Sequence, residues 1–297
     1  MKPKLCVFTN GFEGNWPSIE YAAWMAEAMQ AKITLTGTQE KDAENFSVEA
    51  IFSRAVSLFQ QKNIDYALNL GDDSIENLMA RTAQSDSDAL FVFSPLGRSR
   101  LRRMAQGRSF RQIMVQVDAP LLYVPIVKLP LKKVLICLGG LKYVVTVEHL
   151  GLKIAKMTGA AVTLLMVVPP VDLDYPEARI IRESWQTLAE TNTLPGKSLR
   201  EGLTSAASLG VAASVKMRNG IIVEEILDEI KNGGYDLVCM GSPFSAHGIR
   251  QLFTPNVTAE VAETAQTPIL TMRFQENFQP PHPGENADHP KTSPNLV

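Results

Sequence analysis

The chain has 297 residues, enough for two domains of roughly 100 to 150 residues that each bury a core of their own. Its composition, 45% hydrophobic and 20% charged, is that of an ordinary soluble protein, and a formal net charge of -2 gives no field for nucleic acid or an anionic membrane. No apolar run approaches the ~20 residues that span a bilayer, and the Met-Lys-Pro-Lys start runs straight into a strand, so the sequence reads as cytoplasmic.

Residues 4 to 9 form the first predicted strand, and the loop Asn10-Gly11-Phe12-Glu13-Gly14 leads into a helix beginning near Pro17-Ser18. Ile19, Ala22, Ala23, Ala26 and Met29 recur at helical spacing, so one face of that helix packs on a sheet, and Trp16 and Trp24 read as packing residues. Ile33 to Gly37 is a second strand, and Ser47 caps a helix carrying Ile51, Ala55, Leu58 and Phe59. Ile64 to Leu70 is a third strand. Gly71-Asp72-Asp73-Ser74 then turns into a helix, and its two carboxylates read as helix-start groups rather than a catalytic pair. Ala89 to Phe93 and Leu121 to Val124 are the fourth and fifth strands. After the short linker Pro125 to Pro130 the order repeats: strand 134 to 138, helix 144 to 157, strand 161 to 168, strands 213 to 217 and 237 to 240, with the helix Val223 to Lys231 between the last two. Between Val171 and Gly210 lies an insertion, mostly helical by composition and expected to be interrupted at Pro195-Gly196. Residues 275 to 297 are rich in Pro, Asn and His and are expected to be disordered, with His282 and His289 as solvated tail residues. Cys6, Cys137 and Cys239 lie inside predicted strands without metal-ligand spacing and read as buried, reduced thiols.

The chain writes one stretch twice. Asp88 to Pro125 overlies Asp236 to Arg273 at a constant offset of 148 residues, with Ser94-Pro95-Leu96 on Ser242-Pro243-Phe244 and Ala119-Pro120-Leu121-Leu122 on Thr267-Pro268-Ile269-Leu270. The copy extends backward more weakly, Lys4 to Gly11 lying over Lys133 to Gly140. Continuous apolar runs bounded by Asp, Ser and Pro suit parallel strands covered on both faces. The expected architecture is therefore α/β: two tandem doubly wound domains, residues 1–127 and 132–274, each with helices on both faces of its parallel sheet. In such sheets a ligand sits outside the carboxyl ends of the strands, where strand order reverses.

Asn219-Gly220-Ile221, Asp236 to Ser242, Val257 to Ala265 and Thr267-Pro268-Ile269-Leu270 carry a resemblance to the universal stress protein family in its tandem form. The resemblance implies a Rossmann-like, five-stranded parallel sheet of order 3-2-1-4-5 in each half, with the crevice between the loops at Asn10 and Ser94. Family members that bind ATP use an Asp at the end of the first strand and a loop Gly-x2-Gly-x9-Gly-Ser/Thr after the fourth, where glycines admit phosphate to backbone N–H groups and a helix N-terminus. Both copies depart from that pattern. In the first, Asn10 stands where the Asp belongs and Phe93 at the first glycine, while Gly97 and Gly107 keep their step and Arg108-Ser109 follow. In the second, Gly241-Ser242 is intact, but Gly139 replaces the Asp and Ser245, Pro255 and Asn256 replace the later glycines and hydroxyl. The expected binding residues are thus Asn10, Gly11, Ser94, Gly97, Arg98, Gly107, Arg108 and Ser109. Arg98, Arg100, Arg102, Arg103, Arg108 and Arg111 crowd the same loop, either as phosphate clamps or as a solvated basic face.

Three readings stay open on the sequence. The first is a stress-response binding module that holds ATP or another adenine nucleotide, with or without Mg, in its first half. The second is a scaffold whose sites have decayed and whose halves form an intramolecular pseudo-dimer through the fifth strands, with a protein partner or a further homodimer. The third is a slow ATP hydrolase, for which no general base is recognisable: His247 reads as a loop residue without a nucleophile and carboxylate beside it.

Overall fold

The computed structural model describes residues 3–39, 47–97, 109–139, 145–170, 176–242 and 257–273. The first half runs β1 (Lys4–Thr9), a 3-10 turn, α1 (Trp16–Met29), β2 (Lys32–Thr38), α2 (Val48–Gln61), β3 (Tyr66–Gly71), α3 (Ile75–Ser85), β4 (Leu90–Phe93), α4 (Ser109–Gln116) and β5 (Leu121–Tyr123). The second runs β6 (Lys133–Leu138), α5 (Val145–Thr158), β7 (Ala161–Val168), α6 (Pro176–Glu183), a 3-10 segment, α7 (Leu194–Ser208), β8 (Ala213–Asn219), α8 (Ile222–Gly233), β9 (Leu237–Ser242), α9 (Val257–Thr264) and β10 (Ile269–Arg273).

The ten strands of the described residues join one sheet in the order β3-β2-β1-β4-β5-β10-β9-β6-β7-β8. Each half reads 3-2-1-4-5 in its own strand count, and the pairings within each half are parallel. The halves meet at β5 and β10, which pair antiparallel with Ile269 opposite Tyr123, Leu270 opposite Leu122 and Thr271 opposite Leu121. Two edges that would otherwise be open are consumed there. The helices form two layers, and each covers a core that crosses the seam. One cluster joins Ile19, Ala22 and Phe59 to Val147, Leu152 and Leu199; the other joins Ile75, Met79 and Ile113 to Ile226, Ile230 and Val261.

Local chemistry accounts for the helix starts. Ser47 accepts a hydrogen bond from the Ala50 N–H, and Ser74 one from the Asn77 N–H. Asp73 supports the latter start, its carboxylate accepting from the Ser74 N–H at 2.7 Å and pairing with Arg81, so the helix-start reading of the acidic pair holds for Asp73. Trp16 packs against the core beneath the Arg54 guanidinium, which lies 3.6 Å from its ring centroid. Pro195-Gly196 does not interrupt a helix as expected but opens α7. Thr193 is the N-cap, its hydroxyl accepting from Gly196 N–H, and a proline in the first turn has no helical bond to lose. The expected disordered tail, with His282 and His289, lies outside the described residues. Among the described residues no helix is long and apolar enough to cross a membrane.

Candidate functional site: the crevice between β1 and β4

Strand order reverses between β1 and β4 in the first half and between β6 and β9 in the second, which sets the two candidate crevices. In the first, the turn after β1 is fixed from within. The Asn15 carboxamide oxygen accepts from the Thr9 hydroxyl at 2.9 Å and from the Asn10 N–H at 3.1 Å, while the Thr9 hydroxyl accepts from the Gly11 N–H. Asn10 is fully buried. Its Nδ2 donates across the crevice to the Leu96 carbonyl at 2.9 Å, and its Oδ1 accepts from the Phe12 N–H. Asn15 Nδ2 makes a second crossing bond, to the Pro95 carbonyl at 2.8 Å. Ser94 is also buried: its hydroxyl donates to the Val124 carbonyl at 2.6 Å and accepts from the Ser18 N–H at 3.0 Å.

Apolar groups close what the amides leave. Gly97 adopts φ +64, and a Cβ there would come within 2.5 Å of the Phe12 ring, so the ring lies directly on this retained loop glycine. On the other side Gly11, at φ +81, sits against the backbone of Ser47 and Val48 at the start of α2. Val48 and Phe52 pack on Gly37 in β2, and the Thr38 hydroxyl bonds the Asp73 carbonyl. The carboxyl ends of β1, β2 and β4 are thereby tied together by the chain's own side chains.

The structure thus brings together Asn10, Gly11, Ser94 and Gly97 of the expected binding residues. Ser109 begins α4. Arg98, Gly107 and Arg108, with Arg100, Arg102 and Arg103, lie outside the described residues; Arg111 is exposed on α4. In the second half Gly139 follows β6, and the Gly241 carbonyl in β9 accepts from the Thr258 hydroxyl of α9 at 2.9 Å. His247, Ser245, Pro255 and Asn256 lie outside the described residues. Phe12, Asn15, Val48 and Phe52 are the closing residues that the sequence reading missed. Gly37, a glycine inside a strand, was the one signal of a close approach.

Among the described residues the nearby cysteine thiols are not activated as nucleophiles. Burial pushes the Cys6 thiol up to about 11 and, in the second half, Cys137 up to about 12, with Cys239 raised further by the same cause, and all three cysteines are free and buried. Among the described residues no cluster of His, Cys, Asp and Glu could hold a metal ion.

Residues 130–273 match the model of the universal stress protein family. That match falls in the second half of the chain. A universal stress protein from Archaeoglobus fulgidus DSM 4304 shares the fold along nearly the whole chain, at TM-score 0.67 and 12% identity, covering 94% of this chain and 98% of its own. A functionally unknown protein, PA1789, from Pseudomonas aeruginosa PAO1 is similar at TM-score 0.64 and 12% identity, covering 91% of this chain and 92% of its own. A universal stress protein solved in complex with cAMP covers 48% of this chain and 98% of its own at 19% identity and TM-score 0.39. No curated protein sequence matches the chain.

Proposed function

We propose that this chain is a tandem universal stress protein, with domains at residues 1–127 and 132–274, that works as a pseudo-dimeric scaffold presenting its surfaces to partners. The observation that carries this reading is the closed first crevice, where Asn10 and Asn15 bond the Leu96 and Pro95 carbonyls and Phe12 covers Gly97. A nucleotide entering there would have to break two amide bonds, one buried and one part-buried, and displace an aromatic ring. Each buried polar group left unsatisfied costs on the order of 1–3 kcal/mol, so the crevice resists opening. The hydrolase reading gains no support among the described residues, where the groups named at the crevice are amides and hydroxyls.

The second reading, an adenine nucleotide held in the first half with or without Mg, draws on one observation: Gly97 adopts the left-handed conformation expected of a phosphate-loop glycine. Thermal unfolding of the full chain with and without millimolar Mg-ATP, ADP or AMP separates the two. A ligand at about 100 times its dissociation constant would stabilise the folded chain by roughly 2.7 kcal/mol and move the melting point by several degrees. The scaffold reading expects no shift. A shift that disappears in Gly107→Asp overturns it in favour of the nucleotide module.

A further inference from the structure

The ten-stranded sheet ends in two edges, β3 and β8, and the chain treats them differently. Strand β8 carries Lys216 and Arg218, both drawn onto α8: Lys216 pairs with Glu229 at 2.9 Å, and Arg218 with Glu225, Asp228 and Glu229. Charged side chains along an edge are a usual protection against pairing with another chain. Strand β3 reads Tyr66-Ala67-Leu68-Asn69-Leu70-Gly71, with no charge and no proline, and among the described residues it pairs with β2 alone. Leu68 is 40% exposed and Leu70 72%. An uncharged, apolar strand with a free backbone edge is a pairing template.

The register identifies which groups are free. The Ile33 N–H bonds the Asp65 carbonyl, and Ile33 lies opposite Tyr66. In a parallel ladder the residues that face the neighbour alternate, so Asp65, Ala67, Asn69 and Gly71 turn their backbone groups to β2, and Tyr66, Leu68 and Leu70 turn theirs outward. The side chains of these last three share one face of the sheet, with the Tyr66 ring already against Phe59, tilted at 47° with centroids 5.5 Å apart.

We propose that β3 is a homodimerisation edge, at which a second copy of this chain pairs antiparallel about a two-fold axis through Leu68. That register sets Leu68 against Leu68 and Tyr66 against Leu70, exchanges outward N–H and C=O groups, and puts six apolar side chains in one continuous stripe. A two-fold interface needs a self-complementary patch, and about Leu68 each outward residue of the segment meets another outward residue, with Ala67 and Asn69 opposite each other. Antiparallel pairing sets Asp72 of each copy opposite Ile64 of the other, with Lys62 beyond it already paired with Glu27, whereas parallel pairing would stack Asp72 on Asp72. One short strand pair buries less than a standard interface, so the dimer is a weak, reversible one.

Sedimentation velocity of the full chain from about 1 to 200 μM tests this. The expected result is a reversible monomer–dimer equilibrium that Leu70→Lys weakens at least about tenfold while the melting point stays unchanged, since Leu70 is largely exposed. A second variant tests the register: opposed residues of a hydrogen-bonded pair have Cα atoms about 5.5 Å apart, within disulfide reach, so Leu68→Cys should cross-link under mild oxidation. The native cysteines are buried and stay silent. Lys216→Cys on the opposite edge should not cross-link. A wild-type chain that stays monomeric at 200 μM overturns the proposal, leaving β3 to another partner strand. So does a dimer that survives both Leu68→Lys and Leu70→Lys undiminished.

Discussion

Gly11 and Asn10 show how single residues close the crevice. Gly11 holds φ +81, and a Cβ there would stand 2.8 Å from the Val48 nitrogen, so Gly11→Ala must both strain its own backbone and push the start of α2 away. The expected loss is about 1–3 kcal/mol, read by urea denaturation, because alanine is disfavoured at positive φ and the clash is with main chain. Asn10→Ala leaves the buried Leu96 carbonyl without its donor and should cost a similar amount. Glu148, on α5, makes a different residue-scale prediction. It is buried, and burial first, then the Glu201 carboxylate, pushes it up to about 7 from an ordinary 4.5. A carboxyl raised in the folded state contributes stability that is full below the unfolded value and is lost as pH rises through the folded one. Glu148→Gln removes that loss. The variant should match wild type near pH 4 and exceed it above pH 7 by up to about 3 kcal/mol, with the gap opening between those values in a series of denaturation curves.

At the scale of elements, the contact between β8 and α8 is a polar clip on an apolar frame. Glu229 is fully buried and accepts from Arg218 Nη1 at 3.0 Å and the Tyr235 hydroxyl at 2.8 Å. Glu229→Ala strands those donors and should cost about 3 kcal/mol, with amide exchange in β8 rising before that in β6; Tyr235→Phe, which removes one donor, should cost about 1 kcal/mol. The same clip explains a boundary that periodicity places too early. The strand reads as 213 to 217 by its pattern, but Arg218 and Asn219 continue it because the guanidinium is pulled onto α8. Strands buried on both faces were legible because their runs are apolar, every position in Leu90–Phe93 and all but Thr163 in Ala161–Val168. The start of α7 was not, because Pro195-Gly196 punctuates a helix interior and opens a helix equally well, and only the Thr193 hydroxyl on Gly196 decides between them. The crevice shows the same limit. Gly11, Gly97 and Ser94 could be read off a repeat and a resemblance, whereas Phe12 and Asn15 act on residues some 80 positions away and leave no local signature.

For the whole molecule, the repeat offset of 148 residues made β4 equivalent to β9 and β5 to β10, and the sheet honours that equivalence by joining the two fifth strands. Antiparallel pairing at the seam turns two domain-sized sheets into one. The helix layers follow: α1 reaches α5 on one face, and α4 reaches α9 on the other. Lys128 in the linker donates to the Tyr235 carbonyl and the Thr267 hydroxyl, fixing the crossing point to the second half. Separating the halves would expose β5, β10 and apolar surface from both cores at once. Neither half should then unfold alone at a temperature where the other survives. We expect a single calorimetric transition whose van't Hoff and calorimetric enthalpies agree, with near- and far-ultraviolet circular dichroism melting together. Two resolved transitions, or an enthalpy ratio near two, would mean that the halves are coupled only by the linker and that the shared core adds little cooperativity.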